Sequence, residues 1–282
     1  MRVHVDSEVG VLRAVLLASV ETFQLHPPIN KTQEYYFSTH PPRYDLLVEQ
    51  QARFFEVLAN RGVAIYMATP QAGSPEQLDV RDVATVINDT LLVCSMKEPL
   101  RQHEPAALDA LLTEIESPVV RVDAGVVEGG DVILDGDTLY VGLSERTNIS
   151  GLHWLEHRFG DRFEVTAIEL KPPFLHLDVV FNLVGNNLAL IYPEAIQGSS
   201  LDMLRKRYKW IVVTAREEFD LATNVFSLSP ETVISHRQQA RVNRLLREQG
   251  LEVIEPDYSE IIKIGGAFRC GTCPLIRDPL SK

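Results

Sequence analysis

Cysteine is scarce in this sequence of 282 residues, which contains only Cys94, Cys270 and Cys273. A small, odd number of cysteines is typical of a protein from a reducing cytoplasm and argues against a framework of disulfide bonds. A zinc site is not expected either, because Cys270 and Cys273 form the only CxxC pair. We therefore expect a cytoplasmic protein that uses no metal and no organic cofactor.

Long apolar runs and an excess of basic charge are also lacking. No run reaches the roughly 18 apolar residues that cross a bilayer, and residues 1–11 have no apolar core, so we expect neither a membrane span nor a signal peptide. The formal net charge of −12 argues against nucleic acid or an anionic membrane as a partner. A small cationic substrate fits this charge, which neither requires nor excludes a homodimer.

A repeated pattern of short β-rich runs organises most of the chain. Pairs of such runs, joined by turns rich in Asn, Asp or Gly, predict four hairpins. The predicted hairpins lie at residues 83–95, 131–143, 179–192 and 224–235. A helix follows each hairpin, at residues 103–116, 148–159, 199–208 and 238–249, and each helix leads into a third short strand, at residues 119–122, 163–168, 210–214 and 251–254.

The N-terminal part supplies a fifth, less regular copy, with strands at residues 11–18 and 63–68 and a helix at residues 44–61. Recurrence at about 45–50 residues indicates supersecondary units that share a core. Five ββαβ units can close into a ring, and we predict one domain over residues 1–282. Residues 21–42, rich in Pro, His and Tyr, read as a long loop.

The segment with the clearest chemical content surrounds Cys270. Gly265 and Gly266 precede it and let the backbone approach another group closely. Arg269 is expected to favour the thiolate, which is the nucleophilic form of cysteine. An inert core cysteine is an equally good interpretation of this segment taken alone.

Three further motifs are weak individually. His176 and Asp178 are two residues apart, so in a strand their side chains would point to the same face. The glycine pair after Glu128 suggests a bulge that aims this carboxylate. Asp82, next to Arg81, reads most simply as half of a surface ion pair.

Position within the repeats strengthens these motifs. Asp82, Glu128 and His176 each stand just before or at the start of successive hairpins, and equivalent positions in a ring converge near its axis. We therefore expect a central cavity that holds carboxylates, a histidine and Cys270. Such a cavity suits a planar guanidinium, which pairs with carboxylates through two parallel hydrogen bonds.

These motifs, in this order, resemble the guanidino-modifying superfamily of arginine deiminases, dimethylarginine dimethylaminohydrolases and amidinotransferases. The resemblance covers nearly the whole chain and implies a five-bladed α/β propeller, or pentein, with pseudo-fivefold symmetry. It implies that Cys270 is the nucleophile, that His176 is the general acid/base and that Glu128 orients and assists this histidine.

The resemblance also implies three substrate contacts. Asp82 and Asp178 would bind the guanidinium, and Arg146 would bind a substrate carboxylate, although an arginine after a hairpin is more often a surface or packing residue. Asp178 is typical of deiminases and amidinotransferases, whereas Arg269 stands where many relatives have histidine. Cys273 is interpreted as structural.

The expected reaction is hydrolysis of a guanidino C–N bond through a covalent amidino-thioether, which releases a ureido product and ammonia or an amine. For arginine the product would be citrulline. Two alternatives remain: an amidinotransferase, in which an acceptor amine replaces water, and a non-catalytic propeller that binds a partner.

Overall fold

The computed structural model describes residues 1–280, whose strands form five separate three-stranded sheets. In chain order the strands are β1 (Leu12–Leu17), β2 (Ala64–Met67), β3 (Ala84–Ile87), β4 (Thr90–Val93), β5 (Val119–Arg121), β6 (Val132–Asp135), β7 (Thr138–Leu143), β8 (Glu164–Glu169), β9 (Phe181–Gly185), β10 (Leu188–Ile191), β11 (Lys209–Val212), β12 (Phe226–Ser229), β13 (Thr232–Ile234), β14 (Glu252–Ile254) and β15 (Cys273–Arg277).

Four sheets are built alike from consecutive strands. In each, an antiparallel hairpin is followed by a third strand that pairs in parallel with the second strand of the hairpin. Asn88, Gly136 and Asn187 have positive φ angles at three of the hairpin turns, which is why these turns contain Asn and Gly. The four predicted hairpins are confirmed.

The fifth sheet joins the two ends of the chain. Strand β1 pairs in parallel with β2 and antiparallel with β15, so that Leu16 lies opposite Cys273. The antiparallel partner missing from the N-terminal copy therefore comes from the C-terminus. Contacts of β15 with β3 and of β1 with β12 close the ring, which confirms the predicted five-bladed α/β propeller.

The helices connect the second and third strands of the blades or precede the hairpins. They are α1 (Lys31–Thr39), α2 (Tyr44–Asn60), α3 (Val80–Val83), α4 (Asp109–Leu112), α5 (Ile149–Phe159), α6 (Gly198–Arg207), α7 (Ala215–Phe219) and α8 (Ala240–Glu248). No helix within residues 1–280 is both long and apolar enough to cross a membrane.

Two predictions about helices were wrong. The long helix predicted at residues 103–116 is a 3-10 turn at Glu104–Leu108 followed by the single turn of α4, with Pro105 in the first positions. The segment at residues 21–42 is not a loop throughout, because α1 occupies Lys31–Thr39. Asn30 caps α1 by accepting a hydrogen bond from the Gln33 N–H at 2.8 Å.

The apolar core is divided among the blades, whereas the centre of the ring contains buried charges. In one blade, Leu139, Leu155 and Phe159 pack between the hairpin and α5. Near the axis, Arg269 and Glu8 form a buried ion pair at 3.0 Å. The assignment of residues 1–282 to one domain stays a prediction.

Candidate active site

The ends of the blades place the candidate site residues around the axis. Asp82 lies in the short helix α3 before β3, and Glu128 and His176 precede 3-10 turns that lead into β6 and β9. Cys270 precedes β15, and Asn224 precedes β12. The repeat argument predicted this placement for Asp82, Glu128 and His176, and Cys270 and Asn224 extend it to the other two blades.

A cavity with about 330 Å³ of empty volume occupies this position. Asp82, His176, Cys270 and Arg146 all line it, so the structure brings together four of the six residues predicted from the sequence. Glu128 lies directly behind His176 and is completely buried. Asp178 is also fully buried and does not line the cavity.

The imidazole of His176 lies between two carboxylates. Its Nε2 is 2.8 Å from Glu128 Oε2, and its Nδ1 is 3.6 Å from Asp82 Oδ1. Burial alone would lower the pKa of His176, but the charge of Asp82 and the hydrogen bond with Glu128 outweigh burial and raise it to about 10. His176 is therefore an imidazolium at neutral pH.

Glu128 is held as a carboxylate by its neighbours. Its Oε1 accepts a hydrogen bond from the backbone N–H of Lys97 at 2.9 Å, and Arg146 Nη1 lies 3.7 Å from its Oε2. Burial raises the pKa of Glu128, but the hydrogen bond from His176 and the nearby positive charges lower it to about 2. The predicted orienting role of Glu128 is consistent with this geometry.

The glycine pair after Glu128 forms a 3-10 turn, and the predicted β-bulge is wrong. A Cβ atom on Gly129 would lie 2.1 Å from the Arg81 carbonyl oxygen, and one on Gly130 would lie 2.9 Å from the His176 ring. Glycine is required at both positions because the histidine and α3 pack directly against this turn.

His176 and Asp178 are not in a strand, so the argument from strand alternation was wrong. His176 precedes the 3-10 turn Leu177–Val179, which includes Asp178. The two side chains consequently reach different places: His176 faces the cavity, and Asp178 contacts the thiol of Cys270 with Oδ2 at 3.7 Å from Sγ.

The thiol of Cys270 is surrounded by acids. Burial and the charges of Asp178, Asp79 and Asp82 raise its pKa well above the ordinary value. Its backbone N–H donates to Asn224 Oδ1 at 3.1 Å, which fixes the position of the residue. The resting side chain is therefore a neutral thiol that donates toward Asp178.

Arg269 does not play the part predicted for it. Its Nη1 donates to Asp178 Oδ2 at 2.8 Å, and its Nη2 donates to Glu8 and to the Val132 carbonyl oxygen. The guanidinium is thus occupied by two carboxylates and a backbone carbonyl, and it donates no hydrogen bond to the thiol of Cys270. Arg269 positions Asp178, and the thiolate is not stabilised by it at rest.

Asp82 and Asp178 share one feature that suits a cationic ligand. Arg101 Nη1 donates to Asp82 Oδ2 at 2.7 Å, just as Arg269 donates to one oxygen of Asp178. The other oxygen of each aspartate, Oδ1, is buried and accepts no hydrogen bond from residues 1–280. Asp82 lines the cavity, whereas Asp178 does not.

Arg146 marks the passage from the inner cavity to a wider one outside. It is buried, not a surface residue, and its Nη2 donates to the Ile29 carbonyl oxygen at 3.0 Å. The outer cavity, with about 850 Å³ of empty volume, is lined by Arg146, Lys97 and the segment Pro28–Lys31. Arg146 Nη1 donates no hydrogen bond to the described residues, and its nearest carboxylate oxygen is Glu128 Oε2 at 3.7 Å.

Several functional candidates were missed from the sequence. Arg101 holds Asp82, Asn224 holds Cys270, and Asp79 and Glu76 line the cavity. The only signal for Arg101 is its spacing of three from Glu104, with which it forms a buried ion pair at 3.0 Å. Asn224 belongs to the series of residues that precede hairpins, and that series predicts a residue facing the axis.

Three of the site residues also form a possible metal site. Asp82, Glu128 and His176 offer one ligand atom each within 4.8 Å of one another, and two carboxylates with an imidazole suit a divalent ion. The imidazolium of His176 already supplies a positive charge between the two carboxylates. We assign no metal to this cluster and treat it as an acid–base group.

The chain matches known proteins over most of its length. The family model described as N,N dimethylarginine dimethylhydrolase, eukaryotic, matches residues 26–277. YkgA of Bacillus subtilis, described as an uncharacterized protein, is 39% identical over 271 residues, which are 96% of this chain and 94% of that protein. The arginine deiminase of Bacillus cereus is 27% identical over 258 residues and covers 73% of this chain.

The deiminase is a longer protein, and this chain spans 63% of its length. Among solved structures, SxtG, an amidinotransferase from Microseira wollei, has a TM-score of 0.84 and 20% identity, with 99% of this chain and 98% of that chain covered. The substrate-bound N-terminal domain of ArgZ, an arginine dihydrolase from Cyanobacteria, has a TM-score of 0.84 and 21% identity, with 94% and 98% covered. These structures establish the fold.

The family model and the fold agree with the motifs that precede the blades. The chain belongs to the N,N-dimethylarginine dimethylhydrolase family, within the guanidino-modifying superfamily of five-bladed α/β propellers.

Proposed function

We propose that this protein is a cysteine-dependent hydrolase that cleaves a guanidino C–N bond and releases a ureido product. One observation supports it most directly: Cys270, His176 and Asp82 line a single cavity, and a carboxylate orients the histidine from behind. Relatives named arginine deiminase and arginine dihydrolase support the same reaction class.

The substrate guanidinium binds against Asp82, whose Oδ1 accepts no hydrogen bond from the described residues. The proton of the Cys270 thiol passes to Asp178, with which it is already in contact at 3.7 Å. Sulfur then attacks the guanidinium carbon, and a neutral tetrahedral adduct forms. Arg269 keeps Asp178 in place for this transfer.

His176 enters this step as an imidazolium, which the raised pKa of about 10 provides. It donates its proton to the departing nitrogen, so the C–N bond breaks and ammonia or an amine leaves. The enzyme now holds a cationic amidino-thioether, and His176 is neutral. Glu128 keeps the ring in place throughout.

The neutral His176 next removes a proton from water, and the water oxygen attacks the thioether carbon. The C–S bond breaks as the carbonyl of the urea forms. Asp178 returns its proton to the Cys270 sulfur, and the hydroxyl proton is taken up by the released ammonia or amine. No redox partner is required, and the imidazolium is restored.

The test is a panel of guanidines: arginine, methylated arginines, agmatine and guanidinoacetate, each scored for ureido product and ammonia. Cys270→Ala should abolish product and the covalent adduct seen by mass spectrometry. Cys273→Ala is the matched control, because this cysteine is buried in β15 outside the cavity and should retain activity.

The alternatives are separated by two additions to the panel. Product that forms only with an acceptor amine such as glycine would identify an amidinotransferase. Absence of both turnover and a Cys270 adduct, with and without the acceptor, would contradict catalysis and favour a binding propeller.

A further inference from the structure

Asp79 is an acid in the cavity that the mechanism above does not use. It stands at the N-terminus of α3, three residues before Asp82, and lines the same cavity as Cys270. Its exposure is only 6%. A carboxylate this deeply buried normally has donors that satisfy it.

No described residue donates a hydrogen bond to the Asp79 carboxylate, which does not cap α3 either. Arg101 donates to the backbone oxygen of Asp79 at 3.2 Å and to the side chain of Asp82. Both carboxylate oxygens of Glu76, the other acid nearby, already have hydrogen-bond partners: His26 at 2.7 Å and Gln33 at 2.8 Å. Asp79 is thus a second acid, besides Asp82, that is available to a ligand in this cavity.

The backbone makes room for this carboxylate. A Cβ atom on Gly266 would lie 2.0 Å from Asp79 Oδ1, so the carboxylate in this position packs directly against the Gly266 backbone. Burial and the charge of Asp82 raise the pKa of Asp79 well above its ordinary value, as expected for an acid that lacks a cationic partner. Both observations describe a buried acid whose charged form is destabilised by its position in the cavity.

The chemistry of guanidines decides what this acid can accept. An unsubstituted terminal nitrogen carries two N–H donors, and a dimethylated nitrogen carries none. Two methyl groups against Asp79 would leave its carboxylate buried without a donor. A site that hydrogen-bonds an N–H group of one ligand rejects a ligand without that group most strongly, because the buried polar group of the site then stays unpaired.

We propose that Asp79 is a substrate-binding residue that selects guanidines with unsubstituted terminal nitrogens and rejects N,N-dimethylated ones. This assignment rests on the proposed function and narrows its substrate class. It also separates this chain from the substrate named in the description of its family model.

The test measures binding by calorimetry in the Cys270→Ala variant, which needs no turnover. One pair of probes is arginine and N,N-dimethylarginine. The other pair is guanidinium and N,N-dimethylguanidinium, which lack the amino-acid part of arginine. We expect the unsubstituted member of each pair to bind about 100-fold more tightly. Adding Asp79→Ala should reduce this preference at least about 10-fold, and Asp79→Asn should weaken binding of the unsubstituted member.

Asp161→Ala is the matched control, because Asp161 is exposed and lies outside the cavity. A preference for the dimethylated probes, or a preference unchanged by Asp79→Ala in a folded variant, would overturn the proposal. If the preference appears but intact enzyme hydrolyses no guanidine, the proposed function fails and the role of Asp79 stands. If intact enzyme hydrolyses dimethylated guanidines best, the role of Asp79 fails and the hydrolase stands.

Discussion

Replacing Glu128 by glutamine tests the central electrostatic claim, that His176 is an imidazolium at neutral pH. Gln has nearly the same size as Glu and keeps an oxygen acceptor for the Lys97 N–H, but it has no charge. The change removes the carboxylate that lies 2.8 Å from His176 Nε2 and leaves Asp82 at 3.6 Å from Nδ1.

The size of the effect follows from the site. The rise of the His176 pKa from 6.5 to about 10 corresponds to on the order of 5 kcal/mol in favour of the imidazolium. Loss of one opposite charge at hydrogen-bond distance lowers a pKa by about 1–3. In Glu128→Gln we therefore expect His176 to titrate between roughly 7 and 9.

The assay is an NMR titration of the histidine rings together with the pH dependence of kcat/KM. The alkaline limb of the profile, where the general acid is lost, should move to lower pH by the same amount as the His176 titration. His236 is an internal control, because it is buried against Asp257 outside the cavity and should titrate unchanged. An alkaline limb that stays near its original pH in the variant would refute the reasoning.

The free energy of unfolding gives a second test of the ion pair between His176 and Glu128. The raised pKa of His176 contributes stability fully below pH 6.5, and this is lost as pH rises through about 10. The lowered pKa of Glu128 contributes above pH 4.5, and this is lost as pH falls through about 2. Urea unfolding should therefore show the largest loss of unfolding free energy in Glu128→Gln, about 3–5 kcal/mol, between pH 4.5 and pH 6.5, where both contributions are complete. An equal cost above pH 10 would contradict the ion pair.

Three further predictions concern the acids and the thiol. Alkylation of Cys270 by iodoacetamide should be slow at neutral pH and accelerate only well above pH 9, because burial and Asp178 raise the thiol pKa; fast alkylation at neutral pH would contradict this. Arg101→Met should raise KM at least about 10-fold, since Asp82 loses its partner at 2.7 Å, whereas exposed Arg53→Met should not. Asp79→Asn should raise Tm by about 2–6 °C at neutral pH and by less below pH 3.8, because a raised pKa costs stability as pH increases.

The repeats of the propeller were predictable because each hairpin is a local structure. Turn residues such as Asn88 and Asn187 have the positive φ angles that the sequence pattern anticipates. The closing strand β15 could not be recognised in this way, since it pairs with β1 from the opposite end of the chain. A short strand whose hydrogen bonds are all long-range has no periodic signal of its own.

The direction of the candidate residues toward the axis was also predictable, but their partners were not. Adjacency in sequence suggested that Arg269 serves Cys270 and that Arg81 pairs with Asp82. Instead, Arg269 binds Asp178, and Asp82 binds Arg101 from the following loop. Side chains that are neighbours in the chain often point to different sides, and buried ion pairs form with whichever charges the blades bring close.

One cationic ligand would change the state of this whole group of acids. The carboxylates of Asp79 and Asp82, which raise the thiol pKa of Cys270, both line the cavity. Asp82 has a buried oxygen that accepts no hydrogen bond from the described residues, and Asp79 does not cap α3. A guanidinium bound between them adds a positive charge beside the sulfur, so it must lower the thiol pKa that they raise. Without a bound cation the thiol is therefore unreactive, and a guanidinium substrate would itself supply the charge that favours the thiolate. This explains how the proposed nucleophile Cys270 can lie among acids and need no contact with Arg269.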